Sequence, residues 1–256
     1  SVPIFFSNLA IPLTGIIDIG LMGNLGQTKY IAATSIATSV MTMIIWSFAF
    51  LRMGTVGIVA QLFAKSDYRE ISKTLLRNFL LAIIIAMIII LLRPVIVDLS
   101  KTFFLTSLET QDLVKTYISF RIFSIPAEFT ILILVGFYLG IQKTKISSLL
   151  IIILSILNIA LSSFFVLSLD LDIFGVVLGT LLASYITAIF FSFYTYQFII
   201  KKFKIIPTTH RLITPSKIFK LISINFDIFI RTVLLTFSFL WITYQGSKLG
   251  EDYLAV

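Results

Sequence analysis

The chain has 256 residues, of which 58% are hydrophobic and 12% charged, and its formal net charge is +8. A soluble domain carries roughly 45–50% apolar and about 25% charged residues, so a soluble class is excluded, and the lack of cysteine excludes disulfides, thiolate catalysis and Cys-ligated metals. The bases stand in short stretches between apolar blocks, a pattern of membrane topology rather than of nucleic-acid binding.

The apolar blocks are long enough to cross a bilayer, which takes about 20 residues. They lack the alternating segments of roughly 10 residues that mark an outer-membrane barrel. The expected class is therefore an all-α, multi-pass membrane protein. Span one covers 1–23. It has no basic n-region and no A-x-A site, so it does not read as a cleavable signal peptide. It begins with Ser1 rather than Met, from which a start further upstream is expected. Within "PLTGIIDIGLMGNLG" (12–26) stands one carboxylate, Asp18, with Thr14 and Ser7 on its helical face. About five residues separate Asp18 from the end of the span, a depth of ~8 Å at 1.5 Å per residue.

Span two is expected over 31–63 and is long for one crossing, which predicts tilt or an extension beyond the membrane. Span three covers 74–98, and "KTFFLTSLETQDLVK" (101–115) reads as a short amphipathic surface helix. Span four, 117–141, carries Arg121, Pro126 and Glu128, with Arg121 and Glu128 on one face. Span five, 146–168, presents Ser155, Asn158 and Ser162 at helical spacing. Span six, 174–200, runs back with Thr180, Ser184 and Thr187. "GVVLG" and "GTLLASY" in that span supply small residues for close helix packing. A seventh span covers 221–247, with Asp227 and Arg231 at i, i+4.

Charge orients these spans. The stretches 65–77, 143–145 and 201–220 together hold twelve Lys and Arg; the alternate ones hold five, at Lys29, Arg93, Lys101, Lys115 and Lys248. The positive-inside rule then places the N-terminus and the 201–220 loop in the cytoplasm. "LGQTKYIAA" (25–33) is echoed by "LGEDYLAV" (249–256), one repeat of six spans later. Six spans of unchanged orientation imply a parallel repeat about an axis normal to the membrane. On this reading the chain is one full repeat plus the first helix of a second.

An ionisable group in hydrocarbon costs ~2.5–3.5 kcal/mol or more and marks an ion or proton path. Asp18, Ser162, Asn158 and Thr180 fall at similar calculated depth on spans one, five and six. The carboxylate could take a proton, or with Asn158 and Thr180 supply the hard oxygens that suit Na⁺. Back-bonding to their own helix remains the plain alternative for the Ser and Thr residues. Glu128 and Thr14 are further candidates for lining a path, as is Ser7, and Pro3 and Pro12 are candidate bending points. His210 has no assigned role. No constellation for catalysis is present, so no enzyme is expected, and no cofactor beyond a coupling H⁺ or Na⁺.

"SNLAIPLTGIIDIGLMGNLGQTKYIAA", "FLRMGTVGIVAQLFA", "FRIFSIPA…GFYLGIQKTK" and "LNIALSSFFVLSLDLDIFGVVLGTLLASY" stand in this order along the chain. Together they resemble the DinF-like branch of the MATE (multidrug and toxic compound extrusion) family, with "FLRMGT" the most specific block. The resemblance implies a six-helix N-terminal lobe of a twelve-helix fold, here over 1–200. It also implies an inter-lobe loop over 201–220 and the first helix of the second lobe over 221–256. It implies cation-coupled export of organic, often cationic, compounds, with Asp18 similar to the family's acid on the first helix and Pro3 to its bending proline. Asn158 and Thr180 resemble polar residues of the N-lobe cation site. One position departs: the family's N-I-x-x-D reads "NIALS" here, so Ser162 stands where a second carboxylate is usual. That departure favours H⁺ over Na⁺. The expected partners are the lipid bilayer and a small-molecule substrate, with no nucleic acid, in a monomer of the bacterial inner membrane. Two rival readings are a lipid-linked oligosaccharide flippase of a related fold and a non-transporting membrane scaffold.

Overall fold

The computed structural model describes residues 14–23, 28–103 and 107–205, together with 226, 229–231 and 234. Ser7, Pro3, Pro12, Asp227 and His210 lie outside the described residues, as does nearly all of the seventh span and the 201–220 loop beyond residue 205.

The described elements are helices. Helix α1 is Thr14–Gly23. There follow α2 (Thr28–Ser47), α3 (Phe50–Ala64), α4 (Tyr68–Leu91), α5 (Arg93–Phe103), α6 (Leu108–Arg121), α7 (Ile125–Gly140), α8 (Thr144–Leu167) and α9 (Asp172–Phe198). Among the described residues five stretches are long and apolar enough to cross a membrane: Thr28–Ala64, Tyr68–Leu91, Leu108–Gly140, Thr144–Leu167 and Asp172–Phe203. Their outer faces are apolar as lipid requires, with Met87, Leu91, Ile189 and Phe193 all more than half exposed.

The long second span is two helices. Phe48 N–H bonds to Ile45 O, Ala49 N–H to Trp46 O and Leu51 N–H to Phe48 O, so the chain tightens to i→i−3 bonding between α2 and α3. The third span starts earlier than the expected residue 74, because Asp67 caps α4 by accepting from the Glu70 amide at 3.1 Å. It ends at Leu91 with Leu92 as its C-cap, because Pro94 has no N–H to continue the ladder and stands instead in the first turn of α5. The surface helix expected over 101–115 does not form as one unit. Ser107 is extended (φ −60°, ψ 153°) and caps α6, its Oγ accepting from Thr110 N–H at 3.4 Å. From Leu108 the chain enters the fourth span directly. That span is broken by a 3₁₀ turn at Ile122–Ser124, after which α7 starts with Pro126 in its first turn.

Close packing follows glycine pairs four apart. A Cβ on Gly136 would lie 2.7 Å from Arg52 O and 2.9 Å from Thr55 Cβ, and one on Gly140 2.8 Å from Val59. These glycines let α7 sit directly against α3. Gly175 and Gly179 do the same for the α8–α9 hairpin, against Val166 and Ser162. Phe129, Phe137 and Tyr138 of α7 are fully buried, so α7 is the central helix. Buried polar groups tie the packing: Asn78 Nδ2 donates to Thr55 Oγ1 at 2.8 Å, and the Tyr138 and Thr195 hydroxyls meet at 2.7 Å. Of the seventh span, Phe229 packs edge-on against Phe50, with ring centroids 5.7 Å apart.

Candidate functional site

The close approach of α8 and α9 sets the first half of the site. Hydrogen in place of a side chain at Gly179 admits Ser162, whose Oγ would be 2.4 Å from a Cβ there. One residue on, Thr180 Oγ1 accepts from Asn158 Nδ2 at 2.8 Å and donates to Val176 O at 3.0 Å. Asn158 thereby spends an N–H on Thr180, and its Oδ1 is left buried with no described partner. Ser162 Oγ, one turn along the same helix, is fully buried and faces the Asp18 carboxylate.

Helix α1 supplies the acid. Asp18 is 7% exposed, although its neighbours Ile16 and Gly20 face outward. Its carboxylate lies beside the Ser162 hydroxyl, and its Oδ1 is buried and accepts from no described group. Asp18 thus meets Ser162 of α8, and the Asn158–Thr180 pair that joins α8 to α9 stands one turn along α8 from Ser162. Thr14 is half-buried one turn earlier on α1. Among the described residues no three His, Cys, Asp or Glu side chains converge. The donors are thus one carboxylate, one amide oxygen and hydroxyls, a set suited to a proton or a monovalent cation rather than to a transition metal.

A second group borders the first. Arg121, at the end of α6, donates through Nη1 to Glu128 Oε1 on α7 and to Ser124 Oγ in the turn between them. The single Ser124 hydroxyl proton has two acceptors in reach, Arg121 O at 2.6 Å and Glu128 Oε1 at 2.9 Å. The Arg121 guanidinium is within electrostatic reach of Asp18 and of the buried Tyr117, whose hydroxyl meets Thr38 Oγ1 at 3.2 Å. Glu128 thus has an ion-pair partner in Arg121. The i, i+3, i+7 spacing of Arg121, Ser124 and Glu128 was the signal for this group. Nothing in the spacing of Tyr117 and Thr38, on different helices, announced their contact.

The family model named MatE matches residues 3–164. The chain belongs to the MatE family. This MatE chain is 29% identical, over its whole length, to DNA damage-inducible protein F of Escherichia coli, of which it covers 56%. It is 22% identical over 237 residues to multidrug export protein MepA of Staphylococcus saprophyticus, covering 52% of that protein. Among solved structures it matches a MATE protein in a bent conformation with a TM-score of 0.88 at 19% identity, covering all of this chain and 57% of the other. It matches a MOP superfamily transporter of Pyrococcus furiosus, described as having a binding pocket of reverse polarity, with a TM-score of 0.86 at 18% identity. That match covers 99% of this chain and 56% of the other. The fold is thus that of the N-terminal lobe of these transporters, and the chain spans about half the length of the curated relatives it matches.

Proposed function

We propose that this MatE chain belongs to a cation-coupled antiporter that exports organic, often cationic, compounds from a bacterial cytoplasm across the inner membrane. In this reading residues 1–200 form the N-terminal lobe and 201–220 a cytoplasmic loop, with 221–256 opening the second lobe. The N-terminus is cytoplasmic, the protein works as a monomer, and it is not an enzyme. The named activity of MepA, multidrug export, and the shared family support the reading.

The observation that carries it is Asp18, a carboxylate withdrawn from water inside an apolar lobe, with an oxygen that no described donor satisfies. A buried acid in that state is stabilised by gaining a cation. The Ser162 hydroxyl stands beside it, and one turn along α8 Asn158 Oδ1 is a further buried oxygen without a described partner. With Ser162 in place of a second carboxylate, one proton neutralises Asp18, whereas Na⁺ would have a single formal charge and weak neutral ligands. H⁺ is therefore the favoured coupling ion. Coupling arises if loaded and unloaded Asp18 favour different placements of α1, with Pro3 and Pro12 as bending points.

The test is export of the fluorescent cation ethidium from vesicles holding the protein as its gene encodes it. An imposed H⁺ gradient should drive export and an imposed Na⁺ gradient should not. Ser162→Asp should bring in Na⁺ dependence. Equal export with no cation gradient at all contradicts the proposal.

A further inference from the structure

Arg121 and Glu128 remain to be explained, because a buried ion pair is seldom kept for stability alone: desolvation offsets most of its attraction. Arg121 is 8% exposed. Its Nη1 serves both Glu128 and Ser124, while Nε and Nη2 donate to no described residue. Arginine carries five N–H donors in a planar fork suited to carboxylates. A second carboxylate, Asp18, lies within the field of this one and has an oxygen without a donor.

Resting on the reading of Asp18 as the coupling acid, we propose that Glu128 and Ser124 form a latch that holds Arg121 off Asp18, making Arg121 an internal counter-cation that competes with the transported cation. The charge count states why. The titratable and charged groups at this place are Asp18 on α1, Tyr117 and Arg121 on α6, and Glu128 on α7. With Tyr117 neutral they sum to one negative charge, so one proton or one Na⁺ brings a low-dielectric region to neutrality. If Arg121 moved onto Asp18, that acid would already be compensated, and Glu128 would be the group left bare. The latch sits on the 3₁₀ turn at Ile122–Ser124, where α6 meets α7, so release of Arg121 is available through a small change in that turn. Glu128 and Ser124 are positioning residues: they touch Arg121, not the cation.

The sign of three variants separates this from a merely structural role. Binding of radioactive Na⁺ at alkaline pH and proton uptake on acidification are measured on the purified full-length protein, after size-exclusion chromatography shows one folded species. Glu128→Gln takes the sum to zero and frees Arg121, so both readouts should weaken about tenfold, within the usual span of site-to-site coupling. Arg121→Met takes the sum to two negative charges and should strengthen Na⁺ binding, a gain that misfolding does not produce. The double variant Arg121→Met/Glu128→Gln restores one negative charge and should bind as the wild type does. Ser124→Ala, a milder change, should weaken both readouts less than Glu128→Gln. Wild-type binding by Glu128→Gln, or a double variant as weak as Glu128→Gln, overturns the latch. Asp18→Asn keeps the two hypotheses apart: if it binds cations normally the coupling reading itself fails, and if it binds none while Glu128→Gln is unaffected, only the latch fails.

Discussion

The side-chain amide of Asn158 donates to Thr180 Oγ1 across 2.8 Å, and this one bond orients the amide so that its oxygen is left without a partner. Thr180 in turn is anchored on Val176 O, so the pair is rigid on the α9 side and open on the other. Ser162 stands one turn along α8 from Asn158, with the Asp18 carboxylate of α1 beside it.

Thr180→Val keeps the shape and removes the acceptor. The buried Asn158 N–H₂ is then unsatisfied, at a cost of ~1–3 kcal/mol. The expected outcome is a lower thermal unfolding midpoint in detergent, together with cation binding weakened about tenfold, for which the same range suffices. Unchanged binding would remove Asn158 and Thr180 from the site.

Gly179→Ala tests how closely α8 and α9 must approach. The new Cβ would stand 2.4 Å from Ser162 Oγ, 2.5 Å from its N and 2.6 Å from its Cα. Two of those atoms are backbone and cannot rotate away, so the helices must separate. Overpacking of this kind costs typically ~1–3 kcal/mol. The variant should unfold at lower temperature and lose cation-driven export, whereas Gly20→Ala, with open space around its Cβ position, should do neither. A Gly179→Ala protein as stable and active as the wild type would contradict the packing described.

Topology is checked by labelling. The cysteine-free chain makes single-cysteine variants simple to read. Ser107→Cys, at an exposed position that caps α6, should be modified by an impermeant thiol reagent from outside the cell. His210→Cys should react only from the cytoplasm. The reverse pattern would invert the orientation drawn from the distribution of bases.

Much of this site was legible in the sequence because a membrane magnifies its signals. A single carboxylate in "GIIDIG" stands out where water is absent, and the Ser155–Asn158–Ser162 and Thr180–Ser184–Thr187 stripes show helical spacing directly. All but Thr180, which stays half-buried, are buried side chains. "GVVLG" and the Gly136–Gly140 pair mark the two tightest helix contacts for the same reason. What the sequence hid was local backbone bonding and partner choice. The tightened turn at Phe48–Ala49 contains neither Pro nor Gly, so nothing announced the division of the second span. The helix expected over 101–115 was misplaced because polar and apolar residues alternate there as on a surface helix, while Ser107 in fact starts a new helix that continues inward. The pairing of Glu128, a candidate path-lining acid, with Arg121 and Ser124 of the adjoining turn was likewise not legible as a bonded group.

The most direct test of the account is Asp18→Asn in the protein as its gene encodes it, reconstituted in vesicles with an imposed H⁺ gradient, with ethidium export and proton counterflow recorded together. Asn keeps the size and polarity of the protonated acid and cannot release a proton, so folding and insertion should be unchanged while both fluxes fall to the level of empty vesicles. Export at the wild-type rate with proton counterflow intact would show that Asp18 is not the coupling group, and the central claim would be wrong.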